Sequence, residues 1–347
     1  FEIKLINYSL LYPSFLFPGT TQYDQSEQVI QGFPNERLVN SINPISWIKT
    51  AHHIISEKAD LVVFDWWNPF FGMCHWAMSL LVRKKYKGRI LFITENFISH
   101  EARFVDSFLT KLGLRFADKF LALSKPVEKD LQSIAAGRPI FRSELPMFDY
   151  SLDTRFDGVA ERAALGYTPD DKVLMFFGYV RKYKGLDILL RAFLLILKQI
   201  PEAKLLVVGE FYDKPEIYTD IVRDNGTLES VKFVNQYVPN EEVGKYFAAA
   251  DVMVQPYRSA TNSGILNVAY SFGVPAVVTR VGGLVELVTD GETGILVEPE
   301  SPEAIAEGVV RFYKLRETVN FSENIRERVA KSGFNGITEV FEGILGV

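Results

Sequence analysis

The chain has 347 residues, of which 48% are hydrophobic and 23% charged, and its formal net charge is -5. This length suits two domains rather than one ordinary core, and the acidic balance gives no reason to expect nucleic-acid binding. The single cysteine, Cys74, excludes a disulfide framework and a cysteine-based zinc site within the chain, and no apolar run approaches the roughly 18 residues of a membrane-spanning helix.

Short apolar runs alternate with helical patterns through the first half of the chain. Such an alternation is typical of a parallel sheet whose strands are joined by helices. Strands are predicted at 1–7, 60–66, 89–94, 119–123 and 140–145, and helices at 45–58, 72–85, 104–117 and 127–136.

The second half repeats this alternation. Strands are predicted at 173–177, 204–208, 231–233, 252–255, 276–279 and 294–297, and helices at 186–199, 216–225, 241–249, 265–272, 284–288 and 302–314. Right-handed crossovers then give two doubly wound domains. The predicted fold class is therefore α/β, with two Rossmann-like domains facing each other across a cleft. The domains are predicted at 1–150 and 151–320, with a link near 147–168 and a helical tail at 321–347 that packs back on the first.

The loops after the strands carry the candidate site, because ligands of open parallel sheets bind beyond the carboxyl ends of the strands. The segment from Gly178 to Gly185 follows a predicted strand and holds three cations, Arg181, Lys182 and Lys184, just before a helix. Such a loop can bind a diphosphate. A solvated basic loop is an equally good interpretation of this segment alone, and its spacing is unlike a Walker loop.

Three further loops of the second half follow predicted strands and are expected to lie at the same edge of the sheet. Backbone N–H groups at a helix start can hold a phosphate, although many helices begin in this way. The residues concerned are Asn262, Ser263, Gly264 and Ile265 in one loop, Gly209 and Glu210 in another, and Gly282 and Gly283 in a third, where Glu286 is interpreted as a first-turn helix residue.

Polar and aromatic residues also follow three predicted strands of the first half. They are Trp67 and Asn68, then Glu95, Asn96 and His100, and finally Ser124. Aromatic side chains at such an edge can stack on a sugar or a lipid, or they can belong to the core. The acidic residues and the histidine could form an acid/base site, a polar turn or helix caps.

Other charged segments favour plainer interpretations. The segment 35–37 and the basic run 83–89 are typical of solvated surface, with contact to an acidic membrane as the alternative for the basic run. No Asp-x-Asp pair follows an internal strand, and the histidines lack a metal-ligand spacing with supporting acids. A metal-independent reaction is therefore expected, with no metal site and no cofactor.

Four stretches of the second half together resemble the group 1 family of retaining glycosyltransferases, which have the GT-B fold. They read FFGYVRKYKGLDILLRAF, LLVVGEF, VKFVNQYVPNEEVGKYFAAADVMVQPYRSATNSGILNVAYSFGVPAVVTRVGGLVELV and DGETGILVEP. The resemblance implies that Lys184 contacts the donor diphosphate, with Arg181 in place of the family arginine that Tyr179 replaces. It further implies that donor contacts come from Gly178, Gly209, Glu210, Phe233, Tyr237 and the 262–265 loop.

The sequence departs from the family at several places. Ala260 and Val268 occupy the places of two glutamates that grip the sugar and the ribose, and Glu95 stands where the family has a histidine. The segment 1–8 is similar to the family's second strand, so the opening strand and its glycine-rich loop are expected to be missing from the recorded chain.

The resemblance predicts a retaining hexosyl transfer from a nucleoside-diphosphate sugar to a saccharide or lipid-linked acceptor. Lys184, Arg181, Glu95 and His100 are the predicted catalytic residues, and Trp67, Asn68, Asn96 and Ser124 are predicted to border the acceptor. By analogy, we expect a cytoplasmic protein of polysaccharide biosynthesis with peripheral contact at the inner membrane face. The alternatives are a non-catalytic GT-B-like protein that binds a nucleotide or polysaccharide, and a sugar-nucleotide epimerase that uses Glu210 or Glu286.

Overall fold

The computed structural model describes residues 1–17, 22–23, 34–97, 104–147, 155–332 and 335–346. It divides into two compact units. The described residues up to 144 belong to the first unit together with 335–346, and those from 145 to 332 belong to the second. A membrane crossing requires a long apolar helix, and the described part of the chain contains none.

The first unit is built from parallel strands and the helices that connect them. In chain order it contains β1 (Leu5–Leu10), β2 (Asn35–Asn40), α1 (Pro44–Glu57), β3 (Val62–Trp66), α2 (Gly72–Val82), β4 (Ile90–Thr94), α3 (Phe104–Gly113), β5 (Lys119–Ala122), α4 (Lys125–Ala135) and β6 (Ile140–Arg142). The strands β3-β4-β5-β6 form one parallel sheet, and β1 pairs with β2 in a second. Among the described residues, β1 and β3 each keep one edge that no other strand pairs with.

One face of the larger sheet carries the core of the first unit. Val62, Phe64 and Trp66 of β3 point into a cluster that also contains buried residues of α1 and α2. Val63, on the opposite face of the same strand, is 39% exposed. The period-2 alternation of a strand therefore separates a buried face from an open one here.

The second unit is a doubly wound sheet with its helices on both faces. It contains α5 (Gly158–Ala164), β7 (Lys172–Phe177), α6 (Leu186–Leu197), β8 (Ala203–Val208), α7 (Glu216–Asp224), β9 (Val231–Val234), α8 (Asn240–Ala249), β10 (Val252–Gln255), α9 (Gly264–Ser271), β11 (Ala276–Thr279), α10 (Leu284–Leu287), β12 (Gly294–Val297), α11 (Pro302–Leu315) and α12 (Phe321–Ser332). All six strands are parallel, and along β7 Leu174 and Phe176 enter one core while Val173 and Met175 enter the other.

Three features differ from the sequence predictions. The segment 35–37, predicted as solvated surface, does expose Glu36 and Arg37, but it also opens β2, a strand that the sequence did not predict, because pairing with β1 uses backbone groups that polar side chains do not disturb. The predicted link holds α5, capped by Asp157, whose lack of fully buried residues hides it from a periodicity search. α12 buries Phe321, Ile325 and Val329 in the cores of the second unit, whereas the tail helix α13 (Asn335–Leu345) belongs to the first.

Candidate functional site

The second unit has a topological switch point between β7 and β10. Its strand order, β9-β8-β7-β10-β11-β12, reverses direction there, because β8 and β9 extend to one side of β7 and β11 and β12 to the other side of β10. Open α/β sheets bind ligands outside the carboxyl ends of the strands at this point. The loops that follow β7 and β10 are 178–185 and 256–263, which contain two of the predicted donor segments.

Lys184 is the central charged group at the switch point. The residue is only 7% exposed, and its Nζ lies 5.7 Å from the centre of the Tyr257 ring. Within the described residues, neither a hydrogen bond nor a carboxylate contributes to the pKa of Lys184. Burial, with a smaller contribution from the charge of Arg181, lowers the pKa of Lys184 to about 8. A buried, unpaired ammonium is costly unless an anion accompanies it.

Close backbone packing brings the predicted loops together around Lys184. Gly178 has φ +106°, and a Cβ placed on it would lie 3.0 Å from Lys184 Nζ and 3.3 Å from Ile265 Cγ1. Gly209 has φ +137°, and a Cβ there would lie 2.3 Å from the Gly178 carbonyl oxygen. The backbone conformation and the lack of space both favour glycine at these two positions. The structure thus places Gly178, Gly209, Lys184 and Ile265 at one point.

The start of α9 supplies hydrogen-bond donors beside this point. Ser263 Oγ accepts a hydrogen bond from the Leu266 N–H at 3.1 Å and another from Gln255 Nε2 at 3.0 Å. This cap leaves the N–H groups of Gly264 and Ile265 as the first-turn donors without an intrahelical partner. The side-chain nitrogen of Asn262 is buried and has no partner among the described residues. These donors and the helix dipole suit a phosphate.

Two tyrosines lie over the loops that follow β7 and β8. The rings of Tyr179 and Tyr212 are 4.7 Å apart, and the Arg181 guanidinium lies 4.8 Å from the centre of the Tyr212 ring. Tyr179 is 38% exposed, so one aromatic side chain here is available to a ligand. Val180 and Phe211 form an isolated bridge that joins the two loops, and the Val180 N–H donates to the Glu210 carbonyl at 2.9 Å.

The two residues predicted to border the nucleobase, Phe233 and Tyr237, have different surroundings in the structure. Phe233 packs against a core cluster of the second unit, with its ring 5.9 Å from that of Phe211. Tyr237 follows β9 and is half-buried. Phe233 therefore packs beside the core and contacts Phe211 in the loop after β8. Tyr237 lies beyond the end of β9.

The first unit brings the ends of β3, β4 and β5 to one edge of its sheet. Trp66 pairs with Thr94, and Thr94 pairs with Ala122, so the residues that follow these strands are neighbours. Glu95 donates its N–H to the Trp66 carbonyl at 2.9 Å. Burial, followed by the charge of Asp65, raises the pKa of Glu95 to about 7. A carboxyl group with this pKa can hold or release a proton near neutral pH.

The predicted acceptor residues have unequal surroundings. Trp67 is half-buried against Phe71, with 4.5 Å between the ring centres, and the Asn96 side-chain nitrogen donates to the Trp67 carbonyl at 3.4 Å. Asn68 is committed to a turn, because its Oδ1 accepts from the Phe70 N–H at 2.9 Å. Ser124 is 5% exposed, and its buried hydroxyl has no partner in the part of the chain that the structure describes. The predicted catalytic His100 lies outside the described residues.

The second unit also matches a known family by sequence. Residues 171–314 match the family model described as Glycosyl transferases group 1. Residues 171–314 form a group 1 glycosyltransferase domain. The match confirms the resemblance that the sequence showed, and it contains the switch point with Lys184, Gly209 and the start of α9.

Curated relatives of this glycosyltransferase domain are longer proteins. The chain is 35% identical over 170 residues to D-inositol 3-phosphate glycosyltransferase 1 of Catenulispora acidiphila, which covers 47% of this chain and 40% of the relative. It is 29% identical over 220 residues to the D-inositol 3-phosphate glycosyltransferase of Mycobacteroides abscessus, which covers 62% of this chain and 48% of the relative. The chain thus spans less than half the length of these relatives.

Solved structures resemble both units. The structure of Anabaena HepE in complex with UDP has a TM-score of 0.75 at 17% identity, over 91% of this chain and 87% of that chain. The same Anabaena protein has also been solved with UDP-glucose. At this identity the likeness shows the fold alone. It confirms the predicted α/β fold with parallel sheets of the GT-B type.

The glycosyltransferase domain contains contacts that the sequence did not reveal. Arg258 forms a bidentate ion pair with Asp187 at 2.9 and 2.8 Å and also donates to the Lys182 carbonyl at 2.7 Å. This arginine therefore fixes the basic loop before α6. Gln255, which is 2% exposed, supports Ser263 in the same way. The first contact joins positions 71 apart in the chain, and the second depends on how the loop between Gln255 and Ser263 folds, so local spacing carries no signal for either.

The two places where the family has glutamates are apolar in three dimensions as well. Ala260 is 8% exposed, and a Cβ on Gly282 would lie 1.4 Å from its carbonyl oxygen. Val268 packs against a core cluster of the second unit. Glu286 lies in the first turn of α10, as the sequence predicted. Within the described residues, no group of three or more His, Cys, Asp or Glu side chains could hold a metal ion.

Proposed function

We propose that the protein transfers a sugar from a nucleoside-diphosphate sugar to a saccharide or lipid-linked acceptor. The observation that carries the proposal is Lys184, a buried lysine at the switch point of a group 1 glycosyltransferase domain whose charge no carboxylate neutralises among the described residues. A diphosphate placed there would meet Lys184, Arg181 and the N–H groups that begin α9. These groups favour an anion at the place where negative charge develops as the sugar leaves.

The donor class receives separate support from the fold neighbours. Anabaena HepE binds UDP and UDP-glucose, and its fold matches that of this chain. We therefore propose a uridine nucleotide sugar as the first donor to test. Retention at the anomeric carbon and independence from metal are proposed from the group 1 resemblance, because the positive charge for the diphosphate can come from side chains rather than from an ion.

The first unit would carry the acceptor in this proposal. Glu95 has a pKa raised to about 7, and Trp67 and Asn96 lie at the same strand ends. A carboxyl group that is partly ionised at neutral pH can accept the proton of an attacking hydroxyl. We also propose a cytoplasmic enzyme of polysaccharide or glycolipid assembly that contacts a membrane peripherally.

Ligand-induced thermal stabilisation tests the donor site. The wild-type chain is titrated with UDP, GDP, ADP and CDP, and one of them should raise the melting temperature. Lys184→Ala should abolish that rise, whereas Lys198→Ala, which removes an exposed lysine of the same unit, should leave it intact. If no nucleotide binds, the donor site as assigned is wrong.

Product analysis tests the reaction itself. Incubation of the donor with and without saccharide acceptors, followed by NMR of the new anomeric centre, should show an acceptor-dependent product of unchanged configuration, in the presence of EDTA as well. Binding without any product would favour the non-catalytic alternative. An altered donor sugar without acceptor would favour an epimerase.

A further inference from the structure

Three neighbouring helices of the first unit expose large apolar side chains. α2 packs against α1 on one side and α3 on the other. The outward residues Ile45, Ile48, Met73, Leu80, Val105 and Phe108 are between 40% and 65% exposed in the whole chain. On each helix the two residues are three or seven positions apart, so they share one helix face. We call these six residues the apolar face.

A basic segment follows directly at the end of α2. Five cations stand between positions 83 and 89, and the stretch from 72 to 89 contains no acidic residue. Arg83, Lys84, Lys85, Lys87 and Arg89 are all exposed, and none of them pairs with a carboxylate among the described residues. This basic segment is notable because the chain as a whole has a net charge of -5.

The charged residues of α1 and α3 keep the net charge around the apolar face positive. Lys49 is exposed on α1, and Lys111 and Arg115 are exposed on or directly after α3. Of the acids, Glu57 on α1 is engaged by Lys4, and Asp106 on α3 is half-buried. In the part of the chain that the structure describes, the apolar face is thus bordered by exposed cations that form no ion pair with a carboxylate.

We propose that the apolar face and the basic segment dock on an anionic lipid bilayer. Apolar side chains of this kind enter the boundary between headgroups and acyl chains, while adjacent lysines and arginines attract lipid phosphates. Neither feature alone would select this partner, because a nucleic acid offers no apolar layer and a neutral bilayer offers no negative charge. The proposal rests on the membrane contact of the proposed function and names the surface that makes it. Because this surface belongs to the first unit, a failure of vesicle binding would leave the donor site of the second unit untouched.

Vesicle flotation of the whole chain tests this surface. The protein should float with vesicles of phosphatidylglycerol and phosphatidylcholine and stay behind with phosphatidylcholine alone. Binding should weaken as salt rises from about 0.05 to 0.5 M, because salt screens exposed charges. Removing Lys84 and Lys85 as the double glutamine variant should lower the partition coefficient roughly fivefold per cation, or about 25-fold in total. Leu80→Glu should lower it at least about tenfold.

Matched changes on the second unit control for nonspecific effects. Lys198→Gln removes an exposed cation there, and Ile217→Glu places a charge at a residue that is 52% exposed. Both should float like the wild type, and circular dichroism should show that every variant is folded. Equal binding to neutral vesicles, or unchanged binding of the Lys84/Lys85 and Leu80 variants, would overturn the proposal. Absence of vesicle binding together with self-association in sedimentation would instead assign the apolar face to contact between copies.

Discussion

Replacing Lys184 with methionine should change protein stability and ligand affinity in opposite directions. Methionine keeps most of the volume of the side chain but removes the charge. Without a ligand, no carboxylate among the described residues neutralises that charge, and the residue is only 7% exposed. With a diphosphate bound in the proposed site, the same charge would pair with the ligand. A residue retained for packing alone would not produce this pair of effects.

The magnitude of each effect follows from the structure. The fall in the pKa of Lys184 from 10.5 to about 8 means that burial disfavours its charged form by about 3 kcal/mol. Lys184→Met should therefore raise the free energy of unfolding of the ligand-free protein by up to about 3 kcal/mol near neutral pH. Loss of a charge-assisted hydrogen bond to the diphosphate should cost about 1.5–3 kcal/mol, or about 10- to 150-fold in affinity.

The stability gain should depend on pH with a defined sign. Below pH 8 the lysine is protonated in both the folded and the unfolded protein, so the full burial penalty applies to the wild type. Between pH 8 and 10.5 the folded lysine becomes neutral while the unfolded one keeps its proton, so wild-type stability rises with pH. The advantage of the variant should therefore be complete below pH 8 and disappear as the pH approaches 10.5.

Thermal unfolding and calorimetric titration with UDP, both at pH 7 and pH 9.5, measure the two quantities. The melting temperature of the variant at pH 7 should rise by about 2–4 °C per kcal/mol for a unit of this size. A lower melting temperature of Lys184→Met at pH 7, together with an unchanged affinity for UDP, would contradict this prediction. Lys184 would then be a packing residue, and the proposed donor site would lose its main support.

Four other substitutions give three separate tests. Glu95→Gln should stabilise the protein by up to about 3 kcal/mol above pH 7 and by nothing below pH 4.5, because the native carboxyl has a pKa near 7 and the unfolded one near 4.5, as chemical denaturation across that range would show. Ser263→Ala and Ser301→Ala should each cost about 1 kcal/mol through loss of a helix cap. Only the first should also weaken UDP binding in calorimetry, and equal affinities would remove α9 from the site. Gly209→Ala should destabilise by roughly 3 kcal/mol in urea unfolding, because its new methyl would meet the Gly178 carbonyl in an unfavourable φ region, and a loss below 1 kcal/mol would contradict that packing.

Sequence reasoning located most of the second unit because its strands are buried on both faces. Continuous apolar runs such as those of β7 and β8 stand out between helices of clear amphipathic period. The same rule that orders such sheets predicts where their loops converge, so the meeting of Gly178, Lys184 and Ile265 was accessible without coordinates. β2 and α5 were not, since neither presents a regular apolar face.

The parts of the site that the sequence did not reveal depend on contacts that form only in the folded chain. Arg258 meets Asp187 across 71 positions of sequence, and Gln255 reaches the cap of α9 only through the turn between them. Neither the burial of Lys184 nor the raised pKa of Glu95 can be read from spacing, because both arise from the atoms that surround the groups. The sequence also does not show that the side chain of Asn68 is already hydrogen-bonded within its own turn.

The contact between Gly178 and Gly209 limits how this protein can be re-engineered. A side chain at Gly209 would collide with the Gly178 carbonyl, and a side chain at Gly178 would crowd the side chains of Lys184 and Ile265. Both glycines also have positive φ angles. An effort to alter donor preference therefore has little room at these two positions. Tyr179 and Tyr212, whose rings meet over the same pair of loops, offer that room. A library of variants confined to these two positions would change the side chains that face a ligand and leave the backbone packing of the two glycines unchanged.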